Sequence, residues 1–484
     1  MQIVSCPSCG AEVTFRSHAS VMAVCEYCNT SVLKGADAVK DMGKMSAVLE
    51  DYSPVQINTS GVLGGRQFTV VGRIQLQYSA GMWNEWYLLF DDGTNGWLGD
   101  SSGQFVVTTV RQTSGALPSF DSLSPGSFTT VDNRRYTVAE VRTAQCIGGQ
   151  GELPFKVGEG WQAKVADLRD GGSFATLDYS DDDVPTAYTG VSVTLESMQC
   201  QLLRDDDEIR RTTGRHRGKL TALDCPSCGG PIQYLPGLTS ALLCPSCHAQ
   251  LDAASPKVQV LQAGERLEAM RPSLELGAMA RMNQQEIRVI GFMVREDDEG
   301  TRWNEYLVYG ARSGFSWLVE TDDGWSRATV MSEWPQWEGG DYARQDKASF
   351  KKLYSYGARV VYAAGAFNWR VQAGDTVYVT EFEQGQVRLA AELAREELTW
   401  SRSTPVPYDQ LKALFGASMR GKEPAPKTRP GSPKSLAKKA IMIMLALNLV
   451  PILLSFRGAF FYNLFGVLAI FLPALFIESQ DKDK

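Results

Sequence analysis

Eight of the ten cysteines fall into two quartets, Cys6, Cys9, Cys25 and Cys28, then Cys225, Cys228, Cys244 and Cys247. Each quartet consists of two Cys-x-x-Cys pairs, and the interval from Cys9 to Cys25 equals that from Cys228 to Cys244. Two such knuckles joined by a hairpin can gather four thiolates around one tetrahedral ion, so the spacing predicts a zinc ribbon twice over. Four thiolates close the coordination shell and leave no position for an activated water. The expected role of both Zn²⁺ ions is therefore structural. Gly10 and Gly229 each follow a second cysteine, where the chain must turn away from the metal. His248 follows Cys247 and is a rival ligand that would normally point elsewhere, whereas His18 reads as a solvated hairpin residue. Cys146 and Cys200 have no partner at metal-binding spacing and read as buried, inert thiols. Residues 1–6 carry neither a charged nor an apolar leader segment, which sets the expectation of reduced thiols in a cytosolic compartment.

The remaining candidates are aromatic and acidic. Trp83, Trp86, Trp97, Trp303 and Trp317 lie in strand-like segments, where rings either stack on a ligand or fill a core. Glu85 and Glu305 recur beside a tryptophan, and with Glu152 they are the candidate ligand contacts that could act as a general acid or base. None of the three has a second catalytic group at a known spacing, and the sequence shows no phosphate loop, serine elbow or His-Glu metal motif. No residue is assigned as catalytic. Lys+Arg at 48 against Asp+Glu at 55 gives a net charge of -7, the wrong sign for a chain that binds phosphate backbones over its whole surface. Residues 220–255 contain no Lys or Arg, and the cluster Arg210, Arg211, Arg215, Arg217 and Lys219 directly follows an acidic run at 205–208. Nucleic acid is thus not an expected partner, and 204–221 reads as a charged, solvated linker.

The elements that must position these groups are duplicated. Laying Cys6 onto Cys225 superposes the quartets and brings Gly72 onto Gly291. A slip of one position then matches Trp83-Asn84-Glu85 with Trp303-Asn304-Glu305, and Trp97-Leu98 with Trp317-Leu318. Short β-branched and aromatic runs at 67–78, 86–90, 95–98 and 105–110 alternate with turn residues such as Asp91-Asp92-Gly93. The fold class expected is mainly β, with two tandem repeats, each a four-cysteine zinc ribbon followed by small antiparallel barrel or sandwich pieces. Two such pieces are expected per repeat, because a second strand set runs over 128–141 and 162–179. Helices are expected at 36–52, 258–271 and 408–415. The boundaries follow as ribbon 1–35, β domain 36–203, linker 204–221, ribbon 222–255 and β domain 256–418.

Residues 419–439 form a basic linker rich in Pro, Ser and Gly, and 440–456 and 459–477 are apolar runs broken by Arg457-Gly458. A bilayer core needs about 20 apolar residues per crossing, and each run comes close to that. The segment 440–477 therefore reads as a transmembrane hairpin, with Asn448 and Asn463 available for interhelical hydrogen bonds. Six lysines or arginines in 422–439 mark the cytoplasmic side. The bulk of the chain and the tail 478–484 would then face the cytoplasm from the inner membrane.

The Cys-Pro-Ser-Cys-Gly knuckles, the Trp-Asn-Glu-Trp-Tyr-Leu segment at 83–88, Gly96-Trp97-Leu98 and Gly151-Glu152-Leu153-Pro154-Phe155 resemble a bacterial family known as domain of unknown function DUF4178. The resemblance covers most of residues 1–415 and implies no established activity; members are often associated with envelope maintenance and membrane stress. In the second repeat Ala366-Phe367-Asn368-Trp369 replaces the Glu-Leu-Pro segment and removes the carboxylate. The leading expectation is a non-enzymatic, membrane-anchored adaptor that faces the cytosol and binds membrane lipid and unidentified proteins. The alternatives are a hydrolase using Glu85, Glu152 or Glu305, and a nucleic-acid-binding zinc-ribbon protein.

Overall fold

The computed structural model describes residues 2–34, 40–45, 48, 51–78, 81–101, 104–157, 161–215, 217–253, 259–262, 272–282, 285–310, 313–420, 437, 440–445, 448 and 463–473. The chain divides into two compact units, Met1–Lys422 and Glu423–Lys484. The first unit holds both repeats, and each repeat builds a 13-stranded sheet with the same strand order.

In the first repeat eight strands form a closed antiparallel ring. Their order around it is Arg66–Tyr78, Gly81–Phe90, Asn95–Ser101, Gln104–Val110, Thr186–Val193, Ser173–Asp178, Gln162–Asp170 and Arg134–Leu153. The last strand pairs back onto the first, Cys146 opposite Leu76 and Gly151 opposite Gly72, and this closes the barrel. In the second repeat the ring starts with Gln285–Asp297, Arg302–Gly310, Gly314–Thr321 and Gly324–Val330. It continues with Leu398–Val406, Val387–Leu393, Thr376–Gln384 and Ala348–Phe367, and Gly365 lies opposite Gly291 at the closure. The two separate β pieces expected in each repeat are therefore a single barrel. The reason is the 20-residue strand Arg134–Leu153, whose early part pairs with Gln162–Asp170 and whose late part pairs with Arg66–Tyr78. A strand that long can belong to both sets.

Period-two alternation sorts the side chains. Along Gly81–Phe90, Trp86, Leu88 and Phe90 point out of the barrel and are buried with Phe68, Val70, Leu98 and Met198. Trp83, Glu85 and Tyr87 alternate to the inside. Turn chemistry behaves as the sequence indicates: Gly93 sits at φ 81° and Asp92 accepts a hydrogen bond from the Thr94 amide at 2.9 Å.

The ribbons are wired into this scaffold. Each knuckle sits at the turn of its own hairpin, Gln2–Ser5 with Glu12–Phe15 and Met22–Val24 with Thr30–Leu33, rather than at the two ends of one connecting hairpin. Met22–Val24 pairs with Gly151–Leu153, so the second hairpin extends the barrel sheet. Ala241–Leu243 does the same with Gly365–Phe367. The helices expected at 36–52 and 258–271 do not form over their described parts. Lys40–Lys44 and Gln259–Gln262 are strands that satisfy the open edges of the ribbon hairpins, and edge pairing outweighs helical propensity there. Met45, Val48, Asp51 and Tyr52 are described and are not helical, and the remaining residues of those two segments lie outside the described ones. The helix Tyr408–Phe415 is present and buries Leu411 and Phe415.

The expected solvated linker instead contains the helix Asp206–Thr213. Asp205 caps it by accepting the Glu208 amide at 2.6 Å, three acids fill its first turn, Arg210 and Arg211 close its last, and Ile209 is buried. The two repeats touch: the Val141 amide donates to the Glu396 carbonyl at 3.1 Å, and the Trp334 amide to the Gly171 carbonyl at 3.1 Å.

Among the described residues no helix is long and apolar enough to cross a membrane. Within the apolar runs, residues 446–447, 449–456, 459–462 and 474–477 lie outside the described ones. The Asn448 side chain bonds within its own turn, donating to the Met444 carbonyl at 2.8 Å.

Candidate functional site

Both cysteine quartets assemble. The Sγ atoms of Cys6 and Cys28 are 3.7 Å apart, those of Cys9 and Cys25 3.7 Å, Cys225 and Cys247 3.8 Å, and Cys228 and Cys244 3.6 Å. Within each quartet all four sulfurs lie within 4.8 Å of one another. A tetrahedron with Zn–S bonds of about 2.3 Å has edges of about 3.8 Å, so each cluster has the size that a tetrathiolate metal site requires. The knuckles are preformed by backbone bonds, such as Gly10 N to Cys6 O at 2.8 Å and His248 N to Cys244 O at 2.8 Å. His248 occupies the left-handed turn position after a second cysteine, at φ 59°, as Gly229 does at 75°. Its ring packs edge-on against Tyr362 at 5.3 Å, and the four sulfurs of that quartet are the atoms placed so that they could hold an ion. His18 is exposed, Cys146 is buried and Cys200 is half-buried. Burial pushes both thiols up, away from nucleophilic use. His216 lies outside the described residues.

The second feature is internal. A cavity of about 840 Å³ is lined by inward side chains of both barrels, among them Trp83, Glu85, Trp97, Trp303, Glu305 and Trp317. Six of the eight expected ligand contacts thus meet one continuous space. Trp86 does not, because alternation turns it into the outer core, where it is 1% exposed. Glu152 does not either. It is 3% exposed and accepts hydrogen bonds from the Ser17 amide at 3.0 Å and the Ser20 hydroxyl at 2.8 Å, which fastens the first ribbon to the barrel seam.

Inside the first barrel the Trp83 indole donates to Glu85 at 2.9 Å. The Glu85 carboxyl is pushed up to about 8, first by burial and then by the facing carboxylates Asp167, Asp178 and Asp100, with the Trp83 bond opposing. Burial raises Asp167 and Asp178 as well. Arg142 reaches the same space, where it pairs with Glu140 and lies over the Tyr78 ring at 4.1 Å. Arg169 lies over Phe174 at 4.6 Å. Next to these charged groups aromatic rings pack together, with Phe155 stacked on Trp161 at 5.3 Å and Trp97 against Tyr87 at 5.1 Å.

The second barrel repeats the plan with one inversion. Trp303 donates to Glu305 at 2.7 Å, but here Arg295 enters the lumen, 3.6 Å from Glu305 and 2.8 Å from Glu392. Tyr356 donates to Glu381 at 2.8 Å beside them. Asp167, Asp178, Arg142, Arg295, Glu392 and Tyr356 were not among the sequence-level candidates. Their strands are legible locally, but their inward orientation follows only from ring closure.

The site and fold define a duplicated antiparallel β-barrel protein with paired tetracysteine clusters and an internal cavity lined by aromatic and ionisable side chains. The chain belongs to the family described as a domain of unknown function (DUF4178), whose sequence profile matches residues 56–195 and 275–408, one copy over each barrel. No curated protein matches the chain.

Proposed function

We propose that this chain is a non-enzymatic binding protein whose barrels take a ligand into their lumen, with zinc in both tetracysteine centres as structural clamps. The observation that carries the reading is the cavity itself: about 840 Å³, walled by aromatic rings and set with carboxylates that point inward. Aromatic walls supply apolar contact area, and a few polar groups fix orientation. The metal centres hold the hairpins that pair with each barrel seam, so they act on the frame rather than on the ligand.

In this proposal residues 440–477 hold the chain at the inner membrane with the barrels on the cytoplasmic side, which makes the protein an adaptor that presents its cargo at the lipid surface. The apolar composition of that segment, with Arg457 as its single charge, supports the anchor. A native mass spectrum of the full chain, released from detergent, should show a bound mass beyond two metal ions. Spectra with metal alone, from cells grown under several conditions, would contradict the reading.

A hydrolase is the second reading, and Glu85 alone sustains it, because a carboxyl that stays protonated at neutral pH can serve as a general acid. Burial raises the Glu305 carboxyl too, but Arg295 stands 3.6 Å from it as a fixed ion-pair partner, and Glu152 is spent on the ribbon. Turnover of any substrate that is lost in Glu85→Gln would favour this reading over the binding one.

A further inference from the structure

The two barrels can be compared position by position through their cross-strand partners. Leu76 lies opposite Trp83, and Arg295 lies opposite Trp303, so Leu76 and Arg295 are equivalent. Asp178 pairs with Val165 and Glu392 with Val379, whose other neighbours, Arg142 and Tyr356, correspond in turn. Glu85 and Glu305 each accept an indole hydrogen bond from the tryptophan two residues earlier. The second barrel therefore shows what this arrangement of groups holds: a guanidinium between two carboxylates, supplied by its own Arg295. In the first barrel Glu85 and Asp178 hold the equivalent register positions, with Asp178 Oδ1 accepting from the Ser180 amide at 2.9 Å and from the Ser180 hydroxyl, while the built-in cation is replaced by the shorter, apolar Leu76.

We infer that the first barrel binds an external guanidinium between Glu85 and Asp178, in the place that Arg295 fills in the second barrel. The proposal rests on the lumen-binding reading and gives it a ligand class. Arg142 and Arg169, the cations of the first barrel's lumen, do not fill this place, because Arg142 pairs with Glu140 and stacks on Tyr78, while Arg169 lies over Phe174 and donates to the Ser192 hydroxyl at 3.3 Å. A planar guanidinium suits the pocket better than an ammonium, since it can bridge two carboxylates while its face lies against an aromatic ring such as Trp83. Asp178 is one methylene shorter than Glu392, and Leu76 is shorter than Arg295, so both changes leave room for an incoming side chain. Two sources carry this group, free arginine-like metabolites and arginine side chains of a peptide.

The test uses the full chain in detergent, titrated by calorimetry with L-arginine, with acetyl-Gly-Arg-Gly-amide and with citrulline, the neutral isostere. One guanidinium per chain is expected, from whichever arm is the natural source, with no binding of citrulline. Leu76→Arg should abolish that binding by supplying the cation internally, and Asp178→Asn should weaken it roughly tenfold or more. Arg295→Leu should open a second site and double the stoichiometry. Equal binding of citrulline, or guanidinium binding that survives Leu76→Arg unchanged, overturns the proposal. So does failure of both guanidinium probes to bind; if native spectra still show a lumen-bound mass, that failure sinks the ligand class alone and leaves the binding reading standing.

Discussion

Gly72 lies directly opposite Gly151 at the seam of the first barrel, and neither position has room for a side chain. A Cβ on Gly72 would sit 1.7 Å from the Glu152 carbonyl oxygen, and one on Gly151, at φ 66°, would sit 2.3 Å from the Val71 carbonyl. Gly291 and Gly365 repeat the pair, with contacts of 2.7 Å and 2.4 Å to backbone oxygens. Two backbones meet at close range where each ring shuts, and the register bulges at Val70/Gly72 and Val289/Gly291.

Gly72→Ala should therefore destabilise the first barrel by roughly 3 kcal/mol or more, since the obstacle is backbone rather than a flexible side chain. Gly99→Ala is the control, with its nearest contacts at 3.7 Å to Glu85. Urea midpoints of the two variants should differ by the bulk of that amount, with Gly99→Ala close to wild type.

Metal removal should loosen the ribbon hairpins first. With Co²⁺ substituted, both quartets should give thiolate charge-transfer absorption, and Cys25→Ser or Cys244→Ser should each remove about half of it. Hydrogen exchange should then rise at Met22–Val24 or Ala241–Leu243, the strands each hairpin lends to its barrel.

Glu152→Gln should cost about 1–3 kcal/mol, because the buried Ser17 amide and Ser20 hydroxyl lose an ionic acceptor. Exchange protection at Ser17 and Ser20 reports this locally, and protection across the second ribbon, which lacks the carboxylate, should not change.

A carboxyl raised to about 8 ties stability to pH with a definite sign. Folded Glu85 keeps a proton that the unfolded chain releases near its ordinary value, so this group's contribution falls as pH rises from the ordinary carboxylate range to about 8. Asp167 and Asp178 act in the same direction, while Arg142 and Arg169 face the same lumen. Glu85→Gln should flatten the decline of the urea midpoint over that window. A decline of the same slope in the variant would place the linkage elsewhere.

The sequence exposes what is local. The cysteine spacing gives both tetracysteine clusters, the register that lays Cys6 on Cys225 gives the duplication, and the Asp92-Gly93 turn gives a hairpin. Ring closure is not local: Cys146–Gly151 pairs with Gly72–Leu76 through no pattern that either segment carries alone. Without closure, alternation cannot tell that Trp83 and Glu85 face a cavity while Trp86 fills an outer core. The helix Asp206–Thr213 was readable from Asp205 and Glu208 three residues on, but the charge run reads as solvated linker unless buried Ile209 is taken into account. The same register also aligns Leu76 with Arg295, and that difference gains meaning only once both are seen to enter a lumen.

Photocrosslinking in cells can show where ligand enters. A photoreactive side chain replacing Val106, which lines the cavity, should capture a ligand, and one replacing Val191, exposed and outside the cavity lining, should not. Adding Gly99→Phe, which fills the lumen beside Glu85, should abolish the adduct at 106. An adduct at 106 that persists in Gly99→Phe, or one formed at 191 alone, would contradict a lumen-binding barrel.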